Sequence, residues 1–421
     1  MMTRAVRLHG ADDLRLDDFE LPAIGDDEVL VKVISDSICM STYKLMRQGP
    51  AHKRCPSDIA EHPIVVGHEF AGVIVEVGKN WTHEFTPGEK FAQQPALNYP
   101  GSLASMGYSF RYCGGSSTYT IIPHEALEMG CLLHYDGDAF FNASLAEPMS
   151  CIVCSYHSTY HTSEHDHEHR MGIKPGGNLL ILGGAGPMGL GAIEYPLGTE
   201  PRPQRIVVLD TDAERLARAA AVTSAEYAAE RGVELLYVNA CEHADVEGFL
   251  RQITQGAGYD DIFIYAPVRE LAEMGDRLLG QDGCLNVFSG PSDKAFSAEI
   301  NLYDAHYSAT HIMGTTGGTT NDLKEALSLA AAGATRPAVM VTHIGGIDAV
   351  IGTVEHLPQL PGGKKLTYPC VEMPLTAIAD FAELGKTDPL FADLDAACRS
   401  HQGLWNAEAE AILLRAKGVE V

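Results

Sequence analysis

A lone thiol, Cys39, is followed just under thirty positions later by Gly67, His68 and Glu69, and a further carboxylate, Glu147, stands in a Leu-Ala-Glu-Pro segment. Thiolate sulfur, imidazole nitrogen and carboxylate oxygen are donors that zinc accepts, and a catalytic zinc keeps one position open for water or substrate. Cys39, His68 and Glu147 would make a three-ligand set, with Glu69 either a fourth, exchangeable ligand or a group behind the ligands. Ser41, two residues after Cys39, could pass a proton between an oxygen held at the metal and solvent. Such a metal polarises a carbonyl or holds an alkoxide, and hydride must then come from a separate carrier.

The chain supplies a seat for that carrier. Gly184, Gly186 and Gly189, with Pro187 and Met188 between the last two, form a GxGxxG turn after an apolar run and at the head of a helical one. The first glycine permits the tight turn, the second lets a pyrophosphate approach the backbone, and the third lets helix and sheet pack closely. Asp210 closes the next apolar run, where it can accept from a ribose hydroxyl and repel a 2′-phosphate. Asp212 and Glu214 add to that repulsion, although Arg215 and Arg218 lie nearby. NAD(H) is therefore expected over NADP(H). Asp210 could instead cap the helix beginning at residue 213.

Elements must hold these groups in place. Residues 29–34 and 72–78 read as short strands in a β-rich first part, punctuated by glycine and proline. A helical stretch from about residue 147 follows, then a turn at 174–177. Beyond it, apolar runs at 178–182, 206–210, 235–238, 261–265 and 284–288 alternate with helical patterns such as 187–195 and 213–221. That alternation predicts a parallel sheet covered on both faces, a doubly wound α/β domain. After residues 310–313 come glycine-rich TTGGTT, a helix over 322–332 and a strand over 339–344, so the nucleotide unit is inserted between two parts of the catalytic domain. The expected division is 1–157, 172–314 and 315–421, the last ending in two or more amphipathic helices after residue 380.

Composition narrows the partners. At 421 residues two domains are expected. A formal net charge of −26 disfavours nucleic acid and anionic membranes, while a phosphate-bearing small molecule would need its own basic cluster. Lys44, Arg47, Lys53, Arg54 and Arg111 are the candidates near the zinc segment. The first residues lack a signal-peptide pattern and no apolar run approaches a membrane span. Ten scattered cysteines suit a reducing cytoplasm.

The order of Cys39 and Ser41, GHE, Glu147-Pro148, GGAGPMG and Asp210 resembles the zinc-dependent medium-chain dehydrogenases over roughly residues 1–370. Within them the chain is similar to the L-sorbose-1-phosphate reductases, through EPMSC (147–151), MGIKPGG (171–177), GGAGPMGLGAIEY (183–195), GYDDIFIYAPVR (258–269), HYSATHIMGTTGG (306–318), VTHIGGIDAV (341–350), PGGKKL (361–366) and the tail MPLTAIADF (373–381). The resemblance implies a Rossmann domain inserted into a GroES-like catalytic domain. It implies Cys39, His68 and Glu147 as zinc ligands, Glu69 as a nearby or alternating ligand, and Ser41 in a proton relay. It also implies NAD(P)-dependent interconversion of a ketose 1-phosphate and a hexitol phosphate by a homodimer or homotetramer. A dehydrogenase of an unphosphorylated polyol or of an amino alcohol such as threonine, and a non-catalytic nucleotide sensor, are the alternatives.

Three positions depart from that pattern. Lys44 stands where many relatives end the relay in histidine, and it could exchange protons or bind phosphate. Met40 replaces the usual glycine. Residues 91–123 hold Cys113 as their one cysteine, so one catalytic zinc and no structural zinc are expected. His157, His161, His165, His167 and His169 are expected in an exposed polar loop or fraying helix, and Cys151 and Cys154 as buried thiols. His306, His311 and His343 could line the cleft or satisfy internal polar contacts.

Overall fold

Runs of leucine, isoleucine and valine too short for helices, each bounded by turn residues, form the centre of the nucleotide-type domain. The computed structural model describes residues 1–163 and 166–420. It divides the chain into two units: Met1–Pro148 with Thr319–Leu327 and Val341–Val421, and Met149–Gly318 with Ser328–Met340. The expected boundaries, 157/172 and 314/315, lie inside the second unit, whose ends fall at Met149 and Gly318.

In the second unit six strands run in the order Glu234–Asn239, Arg205–Asp210, Asn178–Leu182, Tyr259–Ile264, Leu279–Val287 and His311–Gly314, every neighbouring pair parallel. The order reverses beside Asn178–Leu182, which is the crevice where doubly wound sheets take ligands at their carboxyl ends. All five residues of Asn178–Leu182 are buried, as a strand covered on both faces requires. The helices Pro187–Gly198 and Ala213–Val222 return the chain between strands, the second capped by Asp212, whose carboxylate accepts from the amides of Glu214 and Arg215. The candidate cap Asp210 is thus not the helix cap.

The first unit is β-rich. An eight-stranded sheet places Lys364–Tyr368 beside Val29–Ile38, and Val29–Ile38 beside Phe70–Val77, both pairs antiparallel. A three-stranded sheet of Met2–Gly10, Asp13–Glu20 and Ile64–Val65 lies in the same unit. Val29, Val31, Val33, Phe70, Phe91 and Met106 are buried together in one core, which also takes up Cys113. No helix among the described residues is long and apolar enough to cross a membrane.

The C-terminal segment forms the expected helices, Pro389–Ser400 and Ala407–Ala416, within this unit. Glu410 fastens them: its carboxyl accepts from the amides of Phe140 (2.6 Å) and Phe141 (2.9 Å) and from the Tyr368 hydroxyl (2.8 Å), which itself accepts from Trp405 Nε1 (2.7 Å). Removing that acceptor leaves buried donors unpartnered, so Glu410→Ala should lower stability by about 2–3 kcal/mol at pH 6. Burial pushes the Glu410 carboxyl up to about 7. A raised carboxyl favours the fold at low pH and loses that contribution as pH climbs from the ordinary carboxylate range through 7. The gap between wild type and variant in denaturant titrations should therefore narrow between pH 5 and 8, and a gap that widens would contradict this assignment.

The histidine-rich segment differs from expectation. The helix Ala146–Ser158 stops, and Tyr160–Ser163 and Asp166–Met171 pair as an antiparallel hairpin rather than an exposed loop or fraying helix. His161 is buried, with Nε2 3.0 Å from Asp261 Oδ1 and Nδ1 2.8 Å from the Asp282 carbonyl. Those partners, far along the chain, convert a polar stretch into a packed strand. His157 bonds the Tyr195 hydroxyl (3.1 Å) and His169 stacks on Tyr160. His165 and the side chain of His167 lie outside the described residues. His311 and His343 take internal partners, Asp282 (2.8 Å) and Thr342 (2.8 Å), while His306 packs edge-on against Tyr307. Cys151 and Cys154 are partly buried free thiols on Ala146–Ser158, less enclosed than expected.

Candidate metal centre and nucleotide turn

Antiparallel register brings three distant stretches to one end of the first unit's sheet. Ser37 lies opposite Leu366, Asp36 opposite Phe70, and the Ser37 amide donates to the Glu69 carbonyl (3.0 Å). Cys39 follows directly as the N-cap of the helix Met40–Gln48, with extended backbone. Gly67 makes the turn into His68 possible. Its φ of +92° is a left-handed conformation, and a Cβ there would sit 2.3 Å from Asp36 Oδ2 and 2.6 Å from the Ser116 amide.

Cys39, His68 and Glu69 thereby offer sulfur, nitrogen and oxygen atoms that all lie within 4.8 Å of one another. His68 is oriented by neighbours: Thr42 Oγ1 lies 3.4 Å from Nδ1, the Tyr108 hydroxyl 3.2 Å from Nε2, and Gln93 donates to the His68 carbonyl (2.7 Å). Ser41 Oγ lies 3.5 Å from Cys39 Sγ. Met40 is exposed at the start of the helix. Glu147 stands outside the 4.8 Å group, but its charge acts on the same centre: burial first, then Glu69, pushes its carboxyl up to about 8.

Glu69 is almost fully buried and its carboxylate accepts from the Lys364 ammonium through both oxygens and from the Ser37 hydroxyl. A buried carboxylate tied in this way is a group that tunes and orients ligands as much as one that binds metal directly. Lys364 is itself buried. Burial opposes its charge, yet Glu69, Cys39 and Glu147 together outweigh that and hold the ammonium above its ordinary value.

The centre is short of positive charge. Burial and the neighbouring Glu69 raise the Cys39 thiol, and burial raises Asp36 to about 7. Asp36 Oδ1 has no hydrogen-bond partner among the described residues. Four acidic groups thus face one lysine, and a divalent cation between sulfur and imidazole would favour the charged forms of Cys39, Asp36 and Glu147 that burial opposes. The donor set fits zinc.

Sequence reasoning did not anticipate Lys364, Ser37, Asp36 or Tyr108. For Lys364 a signal existed: two consecutive lysines head a strand whose every residue is buried, and lysines are seldom buried unpaired. A single tyrosine in a glycine-rich loop carries no comparable mark. Lys44, expected near the relay, places its charge on His52, alongside Lys53 and Arg54.

In the second unit, the amides of Gly183 and Gly184 both donate to the Leu209 carbonyl (2.8 and 3.1 Å), closing the turn onto the next strand. Gly186 caps the helix that Pro187 and Met188 begin, and a Cβ on Gly186 would meet nothing within 4 Å. That open space is where a phosphate can approach the helix N-terminus. Gly189 is the reverse case, since a Cβ would lie 2.1 Å from the Gly184 carbonyl oxygen. Asp210 Oδ2 accepts from the Ala185 amide (3.0 Å), and Oδ1 accepts from the amides of Thr211 (2.8 Å) and Asp212 (3.1 Å). The carboxylate is fixed at the end of its strand. Arg215 pairs with Asp212 (3.3 Å), and Arg218 donates to the Val339 carbonyl (2.9 Å).

Comparison with known proteins agrees with this geometry. Residues 25–129 match the alcohol dehydrogenase GroES-like domain family. The chain is 52% identical to the Escherichia coli K12 protein YggP over 100% of this chain and 99% of the other. It is 48% identical to a mannitol-1-phosphate 5-dehydrogenase of Aliivibrio fischeri and 43% identical to an L-sorbose 1-phosphate reductase of Klebsiella pneumoniae, each over 98% of this chain and 97% of the relative. Among solved structures, 2R,3R-butanediol dehydrogenase of Bacillus subtilis superposes with a TM-score of 0.70 at 22% identity, covering 87% of this chain and 99% of that one.

Proposed function

Since the chain belongs to the zinc-dependent medium-chain dehydrogenases, we propose that it transfers hydride between a nicotinamide dinucleotide and a ketose phosphate, with a hexitol phosphate as the reduced partner. The convergence of Cys39, His68 and Glu69 in a buried centre short of positive charge carries this reading. The names of the mannitol-phosphate and sorbose-phosphate relatives support the substrate class.

Zinc held there supplies Lewis-acid polarisation of the carbonyl oxygen or stabilisation of the alkoxide. Cys39 and His68 are the two fixed ligands in the proposal. Glu69 or Glu147 is the carboxylate that completes the set, Glu69 being the nearer and the one restrained by Lys364. Ser41 stands close enough to Cys39 to take a proton from the substrate oxygen and hand it outward. Burial and then Cys39 hold the Tyr108 phenol well above its ordinary value, so Tyr108 serves as a neutral hydrogen-bond donor. In the second unit the Gly184–Gly189 turn takes the pyrophosphate and Asp210 a ribose hydroxyl. With Arg215 engaged by Asp212, NAD(H) is the proposed cofactor. We further propose a cytoplasmic homodimer or homotetramer.

Steady-state oxidation of NADH and NADPH in turn, with L-sorbose 1-phosphate, fructose 6-phosphate and the free sugars, tests the reading. Turnover of at least one ester, with NADH preferred, is expected. Free sugars turning over as well as the esters would move the assignment to an unphosphorylated polyol. No turnover of any carbonyl compound would move it to a nucleotide sensor.

A further inference from the structure

A chain with 56 acidic and 30 basic residues must concentrate positive charge locally if it is to hold a phosphate ester. Five basic side chains near the zinc segment could do so, and the structure separates them. Arg47 pairs with Asp12 (2.7 Å) and Arg111 with Asp58 (3.3 Å). Arg54 and Lys53 form no salt bridge among the described residues. The Arg54 guanidinium, half-buried, donates to the Leu103 carbonyl (3.3 Å) and stands over the Tyr108 ring, 5.9 Å from its centroid.

Tyr108 connects this group to the metal centre. Its ring stacks on His52 (centroids 5.7 Å, 15°) and lies 4.8 Å from the His68 ring, with its hydroxyl 3.2 Å from His68 Nε2. His52 is held against the same segment by the Arg54 amide, which donates to its Nδ1 (3.3 Å). Burial first, and then the charges of Arg54, Lys53 and Lys44, lower the affinity of His52 for a proton, so all three cations bear on one spot. The adjacent cations Arg54 and Lys53, which form no salt bridge among the described residues, repel one another, and a dianion placed between them removes that repulsion.

We propose that Arg54, with Lys53 and Lys44 around His52, seats the phosphate monoester of the substrate, and that Tyr108 forms the wall between that seat and the metal centre. The proposal rests on the sugar-phosphate reading above and names the residues that make the ester the preferred substrate. Arg54 supplies the fork of donors that suits phosphate oxygens, and Lys53 and Lys44 supply point charges.

Kinetics of Arg54→Gln, Arg54→Lys and Lys53→Gln with a ketose phosphate and the corresponding free ketose test it, with inorganic phosphate as a competing probe. Arg54→Gln should raise KM for the ester about 10- to 100-fold with kcat changed only a few-fold, as loss of a charge-assisted bond predicts. The ester's advantage over the free sugar should shrink, inhibition by inorganic phosphate should weaken, and Arg54→Lys should recover part of both. Lys53, being exposed, should give a smaller effect in the same direction without disturbing the fold. An ester KM and phosphate inhibition unchanged in both glutamine variants, while wild type still prefers the ester, would overturn this seat and leave the parent reading standing. Wild type with no preference for the ester would overturn the parent reading and the seat with it.

Discussion

Cys39→Ser is expected to release the zinc and lower kcat/KM by about three orders of magnitude or more. Serine keeps the size and the helix-capping position of Cys39 but offers a hydroxyl in place of a thiolate. Zinc bonds sulfur at about 2.3 Å with a strongly favourable charge interaction that a neutral hydroxyl does not supply. Loss of a Lewis acid removes several kcal/mol of transition-state stabilisation, and each 1.36 kcal/mol is tenfold in rate. The buried surroundings make the change more severe: Glu69, Glu147 and Asp36 remain, with the Lys364 ammonium, bonded to Glu69, as their counter-charge. Metal content by atomic absorption and NADH oxidation by the same preparation check this. About one zinc per chain in wild type and near none in the variant is the expected pair of values, whereas undiminished turnover in the variant would place the chain among dehydrogenases that work without metal.

Lys364→Gln should be the most destabilising single change at the centre, at about 3–5 kcal/mol, the range for leaving one member of a buried ion pair alone. Lys364 is 5% exposed and Glu69 1%, so little water reaches either. Without the ammonium, Glu69 faces Cys39 and Glu147 as one more uncompensated acid. Zinc then becomes a larger share of the compensating charge, while its ligands lose the restraint that orients them. The metal-free variant should therefore unfold at markedly lower denaturant than metal-free wild type. Its zinc affinity in a chelator competition should fall about 10- to 100-fold, as removal of a partner behind metal ligands commonly does. Combining Lys364→Met with Glu69→Gln should restore much of the stability but not the affinity. Equal unfolding midpoints for Lys364→Gln and wild type would show that the pair contributes nothing to the fold.

Much of this arrangement was legible because some physical demands act over short stretches. The GxGxxG turn, the buried run at 178–182 and Asp210 lie within thirty-five residues, and each answers a local requirement of turn, burial or backbone-amide contact. That their neighbours run parallel followed from the alternation of strand and helix patterns, while their order in the sheet came from the structure. The strand at residues 364–368 could not, because its partner is Val29–Ile38, more than three hundred residues earlier, and pairing register leaves no mark on composition. With it the buried Lys364 was missed. The histidine-rich segment misled for a related reason. His161 reads as a solvated loop residue until Asp261 and Asp282, a hundred residues on, supply its partners. Glu147 and Glu69 were both candidates from the sequence; which carboxylate groups with Cys39 and His68 depends on how the strands close, and the structure groups Glu69 with them.

Anomalous diffraction at the zinc absorption edge, from crystals of the full chain grown with zinc, tests the central claim most directly. A single strong peak is expected about 2.3 Å from Cys39 Sγ and about 2.1 Å from a ring nitrogen of His68, with a carboxylate oxygen of Glu69 or Glu147 completing the shell. A peak on the histidine-bearing strands Tyr160–Ser163 and Asp166–Met171 with none between Cys39 and His68, or no peak at all, would contradict it.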